Sequence, residues 1–533
     1  MSAFISNPEF LRNARIQLRA GRAIAAVVIC AAISLTVWYS YESRTVAQTV
    51  ADDSLEMFRF LLQLQVVVLL IGGGIYELLS VYREKELNTF DYQRVTRLTS
   101  FELAMGKLFG APVLTYLVLL CLMPIAILGA ILGQVPILLA GEAYLILFLG
   151  CIAFHLLALL ISMVLGRGAS AIAILPFLIL VAFTSIDFSS NTGGPAMSAP
   201  WALHQLSPFT APEMFSNGTP KAVSDFFFGV SVSHFAMLML IYATFGLWFL
   251  LAIVRNLKRD PTVYELYSPV QAFGFSIYLS FLMVGFFNWK APLGQPIVQM
   301  VMPFRIIGFK TLPPLQVEQM LLFNTFWIFV LLGLILLRNR ERLRRRIRTL
   351  GESAASWWAA LWPAPYAVAG VIMVGIAIVE LIRIYRNLTP DQWSLGLALI
   401  KGAFIALWVA RDLLYLQWME LRRSRRPLVM AGLFLIVFYT CIGVILSVAH
   451  TFARPTVAAF GAALIPAGVS SLEVADWTIH SQLWVIALLV LAAQAVLFAL
   501  LQWLKLREFL SPIPAVPIAP TPAPVTTGSL FPR

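Results

Sequence analysis

Apolar runs long enough to cross a membrane dominate this chain, and they leave it few folds to choose from. About 20 apolar residues in a helix span a bilayer core, where no water can satisfy an exposed backbone group. Twelve such runs occur, at 22–40, 61–82, 103–132, 141–165, 171–186, 233–254, 268–288, 318–337, 364–385, 396–418, 428–448 and 481–503. They occupy so much of the 533 residues that little remains for a soluble domain. Composition agrees: 60% of residues are hydrophobic and 12% charged, well away from the balance of soluble domains. The expected fold class is all-α, a polytopic transmembrane helical bundle of about 12 spans (6+6). The first run follows 21 residues without a small-residue cleavage site, so it is read as a retained anchor.

Basic residues in short loops set the expected orientation. Arg12, Arg15, Arg19 and Arg22 precede the first run, and Arg83, Lys85, Arg94 and Arg97 follow the second. "RNRERLRRRIR" (338–348) holds seven arginines and "RRSRRP" (422–427) four more. If every run spans, all of these share one face, while 187–232 and 449–480 carry only Lys221 and Arg454. Both termini are therefore expected in the cytoplasm. The net charge of +12 is read as this topology signal, with no nucleic-acid partner. Cys30, Cys121, Cys151 and Cys441 share no spacing, which argues against a disulfide framework or a CxxC metal site.

Residues 7–21, "NPEFLRNARIQLRAG", read as a short interfacial helix: Asn7 caps it, Pro8 suits its first position, and arginines lie across from Phe10, Leu11, Ala14 and Leu18. Asp260 and Pro261 echo that start midway along the chain. The expected organisation is a first six-span half (1–257), a divergent second half (258–510) and a Pro-rich disordered cytoplasmic tail (511–533).

The densest polar stretch, "REKELNTFDYQRVTRLTSFELAMGKLFG" (83–110), sits between the second and third runs and holds nine charged residues. Asn88 is placed as the cap of a turn starting at Thr89, with Asp91 near that helix N-terminus. Phe90, Arg94 and Leu98 recur at four-residue spacing and are expected to share a face. Thr99 and Glu102 have the spacing of a capping box directly before an apolar run, so the third span is expected to start there. Gly106 and Gly110 permit close helix approach. Positive-inside cations alone would not explain the acids Glu84, Glu86, Asp91 and Glu102 or the order of the caps.

This stretch resembles the permease subunits of ABC-2 type ABC transporters. Between its second and third spans that family shows a Glu-basic-Glu, a Gly-Thr pair, an acid, then Leu-Ser-x-x-Glu-Leu-x-x-Gly-Lys-Leu-x-Gly. Here the matching residues are Glu84, Lys85, Glu86, Thr89 and Asp91, then Leu98, Thr99, Glu102, Leu103, Gly106, Lys107, Leu108 and Gly110. "NPEFLRNARIQLR" is similar to the family's amphipathic elbow helix. Asn88 stands where glycine is usual, and Asn tolerates left-handed backbone; Arg97 stands where proline is common. The resemblance covers the first six spans, and the second half is assigned by span count and position.

The resemblance implies a permease of the bacterial inner membrane that works as an exporter, driven by a separate ATPase subunit docked on a coupling helix, 88–98. Phe90 and Leu98 would fill a groove on that subunit, and Glu84, Glu86, Asp91 and Arg94 would pair with charges around it. ATP and Mg would be bound by the partner, with no cofactor in this chain. A second permease chain is a further partner the resemblance allows. The sequence has no G-x-x-x-x-G-K-[ST], no H-E-x-x-H and no G-x-S-x-G, and its five histidines are scattered.

Polar residues inside the runs are functional candidates by default, because a charge at membrane depth is expensive. His155 is expected to make one interhelical hydrogen bond. Glu380 and Arg383, three apart, are expected to pair. Lys401 is expected to snorkel, and Arg411 and Asp412 to face the cytoplasmic side. Gln63, Gln65 and Gly72–Gly74 soften the second span. Two other classes compete: a twelve-span secondary transporter without an ATPase, and a membrane glycan polymerase or transferase. The first would want paired intramembrane carboxylates, and the second clustered outer acids where Asp187, Glu213 and Asp225 are scattered.

Overall fold

Asn7 opens the first helix, α1 (Pro8–Gln17), by accepting the Glu9 and Phe10 N–H groups at 2.9 and 3.5 Å, with Pro8 fitting where no partner is needed. The computed structural model describes residues 7–42, 50–164, 207–215, 224–228, 230–259, 264–285, 363–386, 395–422, 427–450 and 474–510, with scattered positions in 325–344 and residues 361, 461, 463 and 464. The expected run 171–186, part of 318–337, most of the outer segments and the tail 511–533 lie outside the described residues.

After α1 come α2 (Ala20–Glu42) and α3 (Val50–Val67). A π-helical turn (Val68–Gly73) joins α3 to α4 (Gly74–Glu86), so Val50–Glu86 runs as one 37-residue rod. At 1.5 Å per residue that is about 55 Å, well beyond a bilayer core. The last turns of α4, rich in charge, therefore belong to the water side.

A short helix α5 (Phe90–Arg94) and an 11-residue helix α6 (Ser100–Gly110) follow, then α7 (Val113–Leu132). The expected third run, 103–132, is thus two helices. Pro112 explains the break: it has no N–H for the carbonyl four residues back, and its ring crowds that turn. The capping box at Thr99 starts α6 and not the span itself. Pro124, by contrast, stays inside α7.

The chain continues through α8 (Ile137–Val164), the four-residue α9 (Thr210–Glu213), α10 (His234–Asn256) and α11 (Pro269–Gly285). Beyond the helical positions in 325–344 come α12 (Ala364–Arg386), α13 (Leu395–Glu420), α14 (Pro427–His450) and α15 (Val474–Leu510). Among the described residues the all-α expectation has one exception. Strands β1 (Ser224–Phe227) and β2 (Val230–Ser233) form an antiparallel hairpin, with Phe227 opposite Val230. Phe228 in the turn has φ +49° and donates its N–H to the Gly285 carbonyl at 2.7 Å, tying the hairpin to α11.

The chain is therefore a mostly helical, multi-pass membrane protein. Among the described residues, six helices are long and apolar enough to cross a membrane: Ala20–Tyr41, Val50–Glu86, Val113–Leu132, Ile137–Val164, His234–Asn256 and Ser481–Glu508. Shorter apolar helices occupy Pro269–Leu282, Ala364–Ala377 and Met430–Ile442. One apolar cluster packs α2, α3, α7 and α8 with Ala211, Met214 and Phe215. A second joins α4, α6, α8 and α10 to α12, α13 and α15.

Candidate functional site

The polar stretch 83–110 is built by the way α4 ends. The Leu87 N–H bonds to the Arg83 carbonyl, Asn88 N–H reaches Lys85 O at 3.3 Å, and Thr89 N–H reaches Glu84 O at 2.9 Å. That 6→1 and 5→2 pair is a Schellman motif, which needs a left-handed residue at the position of Asn88. Asn88 has φ +55°. Its role is thus to close α4, whereas Thr89 occupies the N-cap of α5 without a side-chain cap bond.

Glu84 is the centre of a buried ionic network. Its Oε2 accepts from Lys107 Nζ at 2.5 Å, and its Oε1 from Gln93 Nε2 at 2.6 Å and from the Arg12 guanidinium. Lys107, fully buried, also donates to Glu9 Oε1 at 3.1 Å, which in turn accepts from Arg12 at 2.8 Å and Asn13 at 3.1 Å. Asn7 closes the ring by donating to the Glu102 carbonyl at 2.7 Å. Four elements are thereby pinned at one point: α1, the end of α4, α5 and α6.

Close approach of α1 and α6 makes this geometry possible. A Cβ on Gly106 would sit 2.7 Å from Glu9 Cβ, and one on Gly110 would sit 2.9 Å from Asn13 Cβ. The face of α1 that meets protein is therefore polar, Asn7 and Glu9 being buried, while Ile16 and Leu18 stay exposed.

The capping box is complete. Glu102 Oε2 accepts the Thr99 N–H at 2.7 Å and Oγ1 at 2.9 Å, and Thr99 Oγ1 accepts the Glu102 N–H at 3.1 Å. These bonds hold the Glu102 carboxyl below the usual glutamate range. Lys85 Nζ donates to the carbonyls of Ser162 at 3.3 Å and of Met163, and Ser162 Oγ accepts the Tyr82 N–H at 3.1 Å, tying α4 to the end of α8. Glu86 accepts from the Tyr82 hydroxyl. Beyond α10, Lys258 Nζ donates to Thr96 O at 2.9 Å and Arg94 Nε to Lys258 O at 3.5 Å.

Several expected docking residues turn inward. Phe90 is 3% exposed and packs in the chain's own core, with Leu98 against it. Leu98 also lies beyond α5, so the two do not share one helix face. Glu84 serves the buried network. Asp91 is exposed and pairs with Arg94 at 2.7 Å, and Glu86, Asn88, Thr89 and Thr99 are exposed as well. The outward apolar face is one that four-residue spacing missed: Leu87 at 72% exposure, Tyr92 at 75% and Val95 at 82%, with Phe101 nearby also exposed. Their signal was available, because Tyr92 and Val95 interleave with inward-facing Phe90 and Gln93.

On α8, His155 makes two interhelical bonds. Its Nε2 lies 2.8 Å from Leu69 O and its Nδ1 3.2 Å from the Tyr116 hydroxyl. A carbonyl only accepts, so Nε2 carries the proton and Nδ1 accepts from Tyr116. Gly73 makes room, since a Cβ there would overlap the imidazole. Glu77, unremarked in the sequence, is fully buried, and neither carboxylate oxygen has a hydrogen-bond partner among the described residues. It lies within electrostatic range of Lys107 and Tyr116, two turns before Glu84 on the same helix.

On α13, Lys401 is fully enclosed instead of snorkelling. Arg411 and Asp412 are also enclosed. Arg411 Nε bonds Asp412 at 2.8 Å, and its other nitrogens reach Tyr439 Oη at 2.6 Å, Gln494 Oε1 at 3.2 Å and Leu464 O at 3.4 Å. Its guanidinium also stacks 3.9 Å from the Trp408 ring. Every donor is engaged, so this cluster ties α13, α14 and α15 together. Glu380 and Arg383 fall on α12, but their side chains lie outside the described residues.

No protein-family model matches the chain, and no curated protein or solved structure matches it either.

Proposed function

We propose that the chain is the membrane-spanning permease subunit of an ATP-driven ABC-2 type exporter, with twelve spans in two six-span halves and both termini in the cytoplasm. A separate ATPase subunit, which binds ATP and Mg, docks on the segment around α5. The observation that carries this reading is the construction of that segment. Its inner side is clamped by Glu84, Lys107, Arg12 and Gln93, while Leu87, Tyr92 and Val95 stand outward. A short helix at the end of a membrane rod, rigid behind and apolar in front, suits the transfer of a partner's motion. The motif resemblance supplies the partner's class, and bacterial inner membrane is the location that goes with it.

The test is a gentle-detergent purification of the chain from its native membranes, with mass spectrometry of what accompanies it. A stoichiometric ATPase with a P-loop, lost in Tyr92→Asp and Val95→Asp, supports the permease. Its reproducible absence refutes it. A twelve-span secondary transporter gains one observation, the buried Glu77 near Lys107, which has no hydrogen-bond partner among the described residues. That reading requires uptake or efflux that follows an imposed proton gradient without ATP and fails in Glu77→Gln.

A further inference from the structure

Three chain segments converge at one edge of the second half. α13 closes at Leu421 and Arg422, the last turns of α15 bring Lys505, Arg507 and Glu508, and Arg340 and Arg344 come from the stretch 325–344. Arg340, Leu421, Arg422, Lys505 and Glu508 line a cavity of about 500 Å³. Leu343, Leu421 and Leu506 pack together there, with Trp503 against them. The Arg422 guanidinium lies 3.9 Å from the Trp418 ring centroid, and that of Arg507 lies 3.8 Å from Trp503. Arg344 Nε is buried with no hydrogen-bond partner among the described residues.

Three cations, Arg340, Arg422 and Lys505, line the cavity together with Glu508, and holding like charges this close costs self-repulsion. Glu508 takes one Lys505 proton, at 2.6 Å, and an ammonium has three to give. An anion that accepts several hydrogen bonds at once would relieve the rest. Guanidinium forks match phosphate oxygens in pairs, and basic pockets between helices on the cytoplasmic side of a membrane take phosphorylated headgroups.

We propose that this cavity is a binding site for a phosphate-bearing anion, held by the Arg340 and Arg422 guanidinium groups and the Lys505 ammonium. The phosphate can come from an anionic lipid or from a soluble compound. The surroundings favour the lipid. Leu497, Leu500 and Leu504 form an exposed stripe on α15 that leads to Lys505, a path for acyl chains, and tryptophans carrying stacked arginines mark a membrane interface. The inference is independent of the ATPase reading.

The full chain is purified, stripped of lipid, and titrated with dioleoyl-phosphatidylglycerol, with dioleoyl-phosphatidylcholine and with inorganic phosphate at matched ionic strength. Thermal stabilisation and retained lipid in native mass spectrometry are the readouts. Phosphatidylglycerol is expected to bind and stabilise, and Arg422→Gln and Lys505→Gln to weaken it about fivefold each, at ~1 kcal/mol per cation near the membrane surface. Arg19→Gln, in the other basic region, is expected to leave affinity unchanged. Stabilisation by inorganic phosphate that the same substitutions remove supports the site and assigns the soluble source. Equal binding of both lipids with no phosphate effect overturns the proposal, as does equal loss in Arg19→Gln and Arg422→Gln. Should Arg422→Gln fail to accumulate, Arg422→Lys keeps the charge without the fork; unchanged affinity in both Arg422→Lys and Lys505→Gln overturns it too.

Discussion

Lys107→Met removes the ammonium at the centre of the buried network while keeping most of the side-chain volume. Breaking a buried ion pair by deleting one partner costs ~3–5 kcal/mol, because the other charge stays desolvated. Here two carboxylates lose a donor, but neither is left bare. Glu84 keeps Arg12 and Gln93, and Glu9 keeps Arg12 and Asn13. The lower end, about 3 kcal/mol, is therefore expected. For a chain of this size that lowers the apparent Tm by roughly 3 °C, measured by fluorescence-detected size exclusion after heating in detergent. Adding Glu84→Gln to Lys107→Met removes one of the two carboxylate charges that Lys107 offset, and the double variant is expected to recover about half the loss. If Lys107→Met melts within a degree of the parent, or the double variant melts below the single one, the network does not hold these helices together.

Other substitutions probe neighbouring links. Gly106→Leu should force α1 off α6, given a Cβ position 2.7 Å from Glu9 Cβ, and expose the N-terminal helix to protease, while Gly21→Ala, with nothing within 4 Å, should not. Asn88→Gly should keep the parent's stability and Asn88→Val should lose about 1–2 kcal/mol, read by melting, because a β-branched residue resists φ +55°. Tyr92→Asp and Val95→Asp should abolish partner retention with an unchanged melting curve; a parallel drop in Tm would mean the face is structural. The Glu102 carboxyl is held low by the Thr99 bonds, so its capping contribution is present above the unfolded glutamate pKa and lost as pH falls through the lower folded value. Hydrogen exchange in the first turn of α6 should therefore quicken on acidification through that range, and more weakly so in Glu102→Gln.

What the sequence made legible is what local chemistry decides. Hydropathy placed long helices at 22–40, 141–165, 233–254 and 481–503, because a membrane span needs length and apolarity and nothing else. The cap at Asn7 and the box at Thr99 were readable because each is completed within four residues. The break at Pro112 was missed for a different reason. Proline inside an apolar run is ambiguous, and the same chain keeps Pro124 within α7 while ending α6 before Pro112. The hairpin at 224–233 was hidden in a segment read only for its charges.

The site was harder to read, since its logic is long-range. Glu84 pairs with residues 72 positions before it and 23 after it, and no spacing rule connects them. Once they meet, the face of the polar stretch is decided by which side of α4 the charges need. Glu84 must turn toward Lys107, so Phe90 and Gln93, which follow within nine residues, turn in with it. Tyr92 and Val95 are left outside by elimination. The four-residue pattern of Phe90, Arg94 and Leu98 picked out two residues that the chain packs into its own core, although α5 ends before Leu98 and they share no single helix face. A charge with a distant buried counter-ion thus fixes the rotation of a short helix more firmly than its apolar residues do, and the apolar side left exposed is the one opposite the ion pair.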